Sequence, residues 1–244
     1  MAHQQVYDVF RAFSVKFEGL VYWPYLDIKG LVTVGIGNLI DPIGAALDLP
    51  WHIEGSGDQA TRDEVAADWK RIKAEQRLSK LHYNYARPIT KIRLSDEGVD
   101  QVVKNRLLAN ETYLKKAFPN WDKWPADAQL CAFSMAWAVG AGFPGIFKNF
   151  TGFANKGDWD NAAKCAAIKT EGNPGIIPRN AANQVCLHNA HAVVTRGLDP
   201  SRLYYPGHPD PIDERIWNLQ DEAKKTLAEW KGVPYRFPED MDPK

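Results

Sequence analysis

The chain has 244 residues, with 30 basic and 30 acidic side chains and therefore no formal net charge. Hydrophobic residues at 45% and charged residues at 25% exclude a disordered or fibrous chain and allow a sizeable core. The balanced charge removes the electrostatic reason to expect nucleic acid or an anionic membrane as partner, and no apolar run approaches the ~18–20 residues of a membrane span.

Residues 1–13 mix Gln, Asp and Arg with apolar positions, so no export signal is expected there. Val6, Phe10, Phe13 and Phe17 lie on one face of a helix that should end at Gly19. From Tyr22 to Asn38 the chain is rich in aromatic and β-branched residues, interrupted by the turn Asp27-Ile28-Lys29-Gly30. Val32, Val34 and Ile36 alternate there with Thr33, Gly35 and Gly37, which predicts a hairpin or small sheet, expected to be the only one. Asp41 to Asp58 reads as loop or short helical turns. Thr61 and Glu64 form a capping-box pattern, with Val65, Trp69, Ile72 and Gln76 on the buried side of the following helix.

Ser95 is placed as an N-cap, and Val99, Val103, Leu107, Leu114 and Phe118 predict a long helix ending before Pro119. The stretch Ala128 to Val139 is apolar on every side and belongs in the centre of a core. Further helices are expected at about Pro144–Ala154, Asp158–Thr170 and Pro178–Arg196. A break from Pro200 to Pro211 sets off a tail whose Ile212, Ile216, Leu219, Ala223, Leu227 and Trp230 form an amphipathic stripe. The expected fold class is α+β, predominantly α-helical. Cys131, Cys165 and Cys186 are an odd, widely spaced set among apolar neighbours, read as buried thiols and not as a disulfide framework.

Glu18, Asp27 and Thr33 carry the chemistry. Glu18 is expected at a helix C-terminus, where the macrodipole disfavours a further negative charge, and Phe17, Tyr22, Trp23 and Tyr25 would keep water from it. That is the setting of a general acid. Asp27, on the turn, is expected in a wetter place as an ionised partner. Thr33 shares a strand face with Gly35 and Gly37, whose bareness would let a sugar ring approach, and its hydroxyl could hold a water against Asp27. Each residue also has an ordinary reading: a solvated Glu, a type I turn for Asp27 and Gly30, an unremarkable strand Thr.

Together they form a pattern. Glu18-Gly19-Leu20, Asp27 nine positions after Glu18, and Thr33 leading into Thr33-Val34-Gly35-Ile36-Gly37 resemble the active-site segment of T-even phage-type lysozymes, glycoside hydrolase family 24. Residues 128–134 and 140–143 look like that family's buried central helix and its glycine-rich exit. Residues 158–163, 173–175 and 178–181 are similar to its last helices. The resemblance covers about residues 5–40 and 94–195; 41–92 reads as an insertion or replaced lobe.

The resemblance implies a lysozyme-like two-lobed catalytic domain over 1–199, with a small β-containing lobe and insertion at about 18–118 and a helical lobe at about 119–199. Residues 200–244 would be an extension with one amphipathic helix. It implies a muramidase cutting the β-1,4 bond between N-acetylmuramic acid and N-acetylglucosamine, with Glu18 as acid and Asp27 and Thr33 managing the attacking water. Inversion is then expected, with carboxyls about 6.5–9.5 Å apart. Asn38 stands where the family commonly has His, and Ala138 where a substrate-binding Gln is expected. Glycan contacts are therefore assigned to Trp137, Arg179, Asn180 and Asn38.

No cofactor or metal is expected; His188 and His191 are three apart but lack further ligands at zinc spacing. The partners expected are peptidoglycan glycan strands, with neither nucleic acid nor membrane, and the chain is expected to be a monomer. Without a signal peptide, cytoplasmic synthesis would be followed by holin-dependent release, as for a phage endolysin, or by injection as an antibacterial effector with an immunity partner. Either route ends on periplasmic or cell-wall peptidoglycan. The competing functions are a lytic transglycosylase-like cleavage and a non-catalytic glycan-binding protein. The tail helix is expected to dock on its own core, against readings as a wall-binding, membrane-active or partner-binding element.

Overall fold

The computed structural model describes residues 1–171, 173–209 and 214–229. The fold is α+β and predominantly helical. It divides into two compact units, one of Ser14–Arg106 and the other of Met1–Phe13 together with the chain from Leu107 onward. Both divisions fall inside helices, α1 (Gln4–Glu18) and α4 (Asp96–Ala117).

The first unit carries the expected sheet. β1 (Val21–Leu26), β2 (Val32–Gly35) and β3 (Asn38–Leu39) form an antiparallel ribbon in that order. Val21 faces Gly35, Tyr25 faces Thr33, and Val34 faces Asn38, with an irregularity in β1 between Val21 and Tyr25. All four residues of β2 are buried, as a central strand covered on both faces should be.

This is not the only sheet. After a helical turn, α2 (Gly44–Leu47), β4 (Trp51–Ile53) pairs antiparallel with β5 (Ile92–Leu94). Each strand has three residues and the partners are far apart in the chain, so neither shows enough alternation to stand out from loop. Helix α3 (Arg62–Ala74) begins at the expected capping box, the Thr61 hydroxyl accepting from Glu64 N–H and the Glu64 carboxylate from Thr61 N–H. Asp68, 2% exposed, ties α3 to β5 by accepting from the backbone of Lys91 and Ile92 and from Arg71. Gln76 is exposed, outside α3, in the first of three 3-10 turns (Gln76–Lys80, Tyr83–Tyr85, Arg87–Ile89), so its expected place on the buried helix face is corrected. Ser95 caps α4 as expected, its hydroxyl accepting from Gly98 N–H at 3.1 Å.

In the second unit, α5 (Ala126–Val139) is buried from Ala126 to Trp137. Each large apolar side chain enclosed this way contributes about 1.5–3 kcal/mol. Phe10 of α1 packs on Trp137 and Phe133, with ring centroids at 5.0 and 6.1 Å. The helix expected at 144–154 is two, α6 (Phe143–Ile146) and α7 (Lys148–Asn155), separated at Phe147, whose backbone is non-helical. α8 (Trp159–Lys164) stops well short of Thr170. α9 (Ile176–Arg196) packs against α5 and ends at Gly197, φ +63°.

The tail is not set apart at Pro200. The Pro200 carbonyl accepts from Ala126 N–H at 2.8 Å, Gln5 Oε1 from Leu203 N–H at 2.8 Å, and Asp127 from the N–H groups of Tyr204 and Tyr205, both at 2.9 Å. α10 (Glu214–Ala228) packs on α9 with Ala223 buried and Leu219 half-buried. Ile212 and Trp230 of the expected stripe, and the side chains of Ile216 and Leu227, lie outside the described residues. Cys131 and Cys186 are buried free thiols, pushed up by that burial; Cys165, expected to be buried, is half-exposed.

Candidate active site

The site is assembled by the end of α1 and the β1–β2–β3 ribbon. Glu18 is the last residue of α1 and is half-buried. Gly19 follows at φ +74°, its N–H donating to Val15 O, so the chain leaves the helix in a left-handed step that favours glycine. The Glu18 carboxylate reaches the third strand's approach: a Cβ on Gly37, itself at φ +81°, would lie 3.4 Å from Glu18 Oε2. The carbonyl of that same Gly37 accepts from Arg106 Nη1 at 2.8 Å. Gly37 thus lies between the two groups, and a methyl there would meet the Glu18 carboxylate at ordinary contact distance.

Asp27 opens the β1–β2 turn. Its N–H donates to Leu31 O and its own carbonyl accepts from Gly30 N–H, both at 2.9 Å. Its Oδ1 accepts from the N–H groups of Lys29 and Leu31, also at 2.9 Å, while Oδ2 accepts no hydrogen bond among the described residues. One oxygen therefore fixes the carboxylate and the other remains to act. The turn is anchored from α3: Lys73 Nζ donates to Gly30 O at 2.9 Å and to Asp41 Oδ2 at 2.7 Å, and Asp41 also accepts from Val32 N–H. Burial pushes the Asp41 carboxyl up, but these hydrogen bonds and the Lys73 charge outweigh it and hold the carboxyl below its usual range.

Tyr25 lies on β1, between the two carboxylates in the chain. Burial, then the charges of Glu18 and Asp27, then Tyr83, push its phenol well above the usual range, so it stays protonated. Tyr25 faces Thr33 across the ladder, and directly paired residues share one side of a sheet. The Thr33 hydroxyl donates to Leu31 O at 3.2 Å, and the residue is 4% exposed. Its proton is thus committed, and its oxygen can hold a water only as an acceptor.

Asn38 is 2% exposed, with Oδ1 lying 3.1 Å from the place of a Cβ on Gly35 and accepting no hydrogen bond. Its expected substrate contact gives way to a packing position. The other three expected glycan contacts belong to the second unit and have structural tasks. Trp137 is 4% exposed and packed on Phe10. Arg179 is 1% exposed, its Nη1 donating to Ser134 O and Oγ, both at 3.2 Å. Asn180 bridges the backbone N–H and C=O of Ile168 at 3.0 and 2.7 Å, fixing the stretch that follows α8. Their expected place at a cleft rested on alignment alone, and polar residues on a largely apolar helix are as often internal hydrogen-bonding groups.

Three residues of this region carry no sequence signal of their own, Lys73, which holds the turn, Arg106 at Gly37, and Tyr83 against Tyr25, while Gln76, read from the sequence only as a helix-face position, also reaches Gly30. Among the described residues no group of three or more His, Cys, Asp or Glu is placed to hold a metal ion, and no helix is long and apolar enough to cross a membrane. No protein-family model matches the chain, and no curated protein matches it.

Proposed function

We propose that this chain is a glycoside hydrolase of the muramidase type, cutting the β-1,4 bond between N-acetylmuramic acid and N-acetylglucosamine in peptidoglycan. One observation carries the reading: Glu18 ends α1 and Asp27 opens the turn at the other end of β1, the first with Oε2 by the bare glycine Gly37, the second fixed by one oxygen only. Two carboxyls in unlike settings at the ends of one strand suit acid protonation of a leaving oxygen and activation of water. Glu18 protonates the glycosidic oxygen. Asp27 Oδ2 takes the proton of the attacking water, whose other hydrogen is accepted by Thr33 Oγ1. The sequence likeness of residues 18–37 to the lysozyme segment supports the same assignment, and inversion at the anomeric carbon follows from water attack opposite the acid.

Incubation of purified sacculi with the wild-type chain, Glu18→Gln and Asp27→Asn tests this by mass analysis of the released fragments. The wild type should release reducing-end disaccharide peptides, and each variant should lose at least about a thousandfold in rate, as expected for removing one member of an acid–base pair. Anhydro-ended fragments would assign a transglycosylase reaction. Equal release by Glu18→Gln would contradict the assignment of the acid.

A further inference from the structure

The 3-10 turns between α3 and β5 lie outside the lysozyme-like stretches, yet they are built against β1, the strand that runs from Glu18 towards Asp27. Trp23 Nε1 donates to the Tyr83 carbonyl at 3.1 Å, and the guanidinium groups of Arg87 and Arg93 lie 5.2 and 5.6 Å from the Trp23 ring centroid. Held in this way, the Tyr83 ring comes to 5.8 Å from Tyr25 and 6.3 Å from Trp23. Its hydroxyl is 3.7 Å from the place of a Cβ on Gly19, the residue directly after Glu18.

His82 lies over Tyr83 with ring centroids 4.0 Å apart, and it is exposed. Its Nδ1 accepts from Asn84 N–H at 3.3 Å, which leaves the proton of the neutral imidazole on Nε2 as a donor. The pair therefore combines two adjoining flat rings tilted by 37°, one anchored and one exposed, with polar atoms at their edges. A pyranose has the matching character, an apolar C–H face bordered by hydroxyl and acetamido groups.

We propose that His82 and Tyr83 form a stacking subsite for an N-acetylated pyranose next to the bond being cut, so that the inserted residues 76–89 serve glycan binding. This rests on the glycosidase reading of Glu18 and Asp27. Its effect belongs to substrate capture and not to the chemical step, since neither side chain is a carboxyl of the pair.

The test uses the full chain. Calorimetric titration of chitotetraose into Glu18→Gln and into Glu18→Gln with His82→Ala gives affinities, and sacculus digestion by the same His82 variants with Glu18 intact gives maximal rate and half-saturation. His82→Ala should weaken chitotetraose binding about tenfold, roughly the worth of one good aromatic contact. It should raise half-saturation by a similar factor while the maximal rate stays within about twofold. His82→Phe should recover most of both losses, and Tyr113→Ala, on the exposed face of α4, should change neither. Unchanged affinity and half-saturation in a folded His82→Ala variant would overturn the subsite while leaving the glycosidase reading intact. Absence of chitotetraose binding together with absence of sacculus cleavage by the wild type would overturn both.

Discussion

Gly37 is the residue beside Glu18 whose backbone most plainly requires glycine. At φ +81° an L side chain costs about 1–2 kcal/mol, while its Cβ would meet Glu18 Oε2 at an ordinary contact distance of 3.4 Å. Gly37→Ala should therefore lower stability by that amount in urea unfolding. Unchanged stability would contradict the left-handed backbone at this position. At this scale the sequence marks the local stretch that holds the two carboxylates and is silent about the residues packed around it. Glu18, Asp27 and the glycines form a spaced local pattern readable in one stretch of chain. Lys73, Gln76, Tyr83 and Arg106 reach the site from 46 to 79 positions beyond Asp27, by Lys73 Nζ on Gly30 and Arg106 on Gly37, and no local pattern marks such contacts.

Among the elements, α5 shows both what an apolar run can reveal and what it conceals. Its burial follows from composition, but Asp127 in its first turn does not announce its task. That carboxylate is fully buried, accepting from Asn189 Nδ2 at 2.8 Å and from the backbone of Tyr204 and Tyr205. Burial, opposed by these hydrogen bonds, pushes its pKa up to about 6. A carboxyl raised in the folded state favours folding most below its unfolded pKa near 4, and that contribution is lost as pH rises through about 6. The unfolding free energy of the wild type relative to Asp127→Asn should thus fall by about 3 kcal/mol between pH 3.5 and pH 7 in urea titrations. A difference independent of pH would contradict the burial of an ionising group there. The short strands β4 and β5 were hidden for another reason: three residues give too little alternation for a period of two to emerge.

Taken whole, the chain leaves one compact unit within α1 and returns to it within α4. A boundary inside a helix has no glycine, proline or polar run to mark it, so the expected divisions fell at about 118, from the resemblance, and at 199, from the Pro-rich break. The tail belongs with its unit: Pro200, Leu203, Tyr204 and Tyr205 are hydrogen-bonded to Ala126, Gln5 and Asp127, and Tyr205 packs on Phe13 at 5.1 Å. Truncation after Leu198 should therefore destabilise the fold by more than about 3 kcal/mol, because it strips partners from a buried carboxylate. A truncated chain with an unchanged melting temperature and weaker wall binding would instead make the tail a targeting element.

The central proposal is that Glu18, at the end of α1, and Asp27, on the β1–β2 turn, add water across a glycosidic bond. Digestion of sacculi in ¹⁸O-labelled water, followed by mass analysis of the released fragments, tests it most directly. The account predicts one ¹⁸O at each new reducing end with the wild type, and no labelled fragments with Glu18→Gln. Fragments that carry no label and end in an anhydro sugar, or labelled fragments released equally by Glu18→Gln, would contradict it.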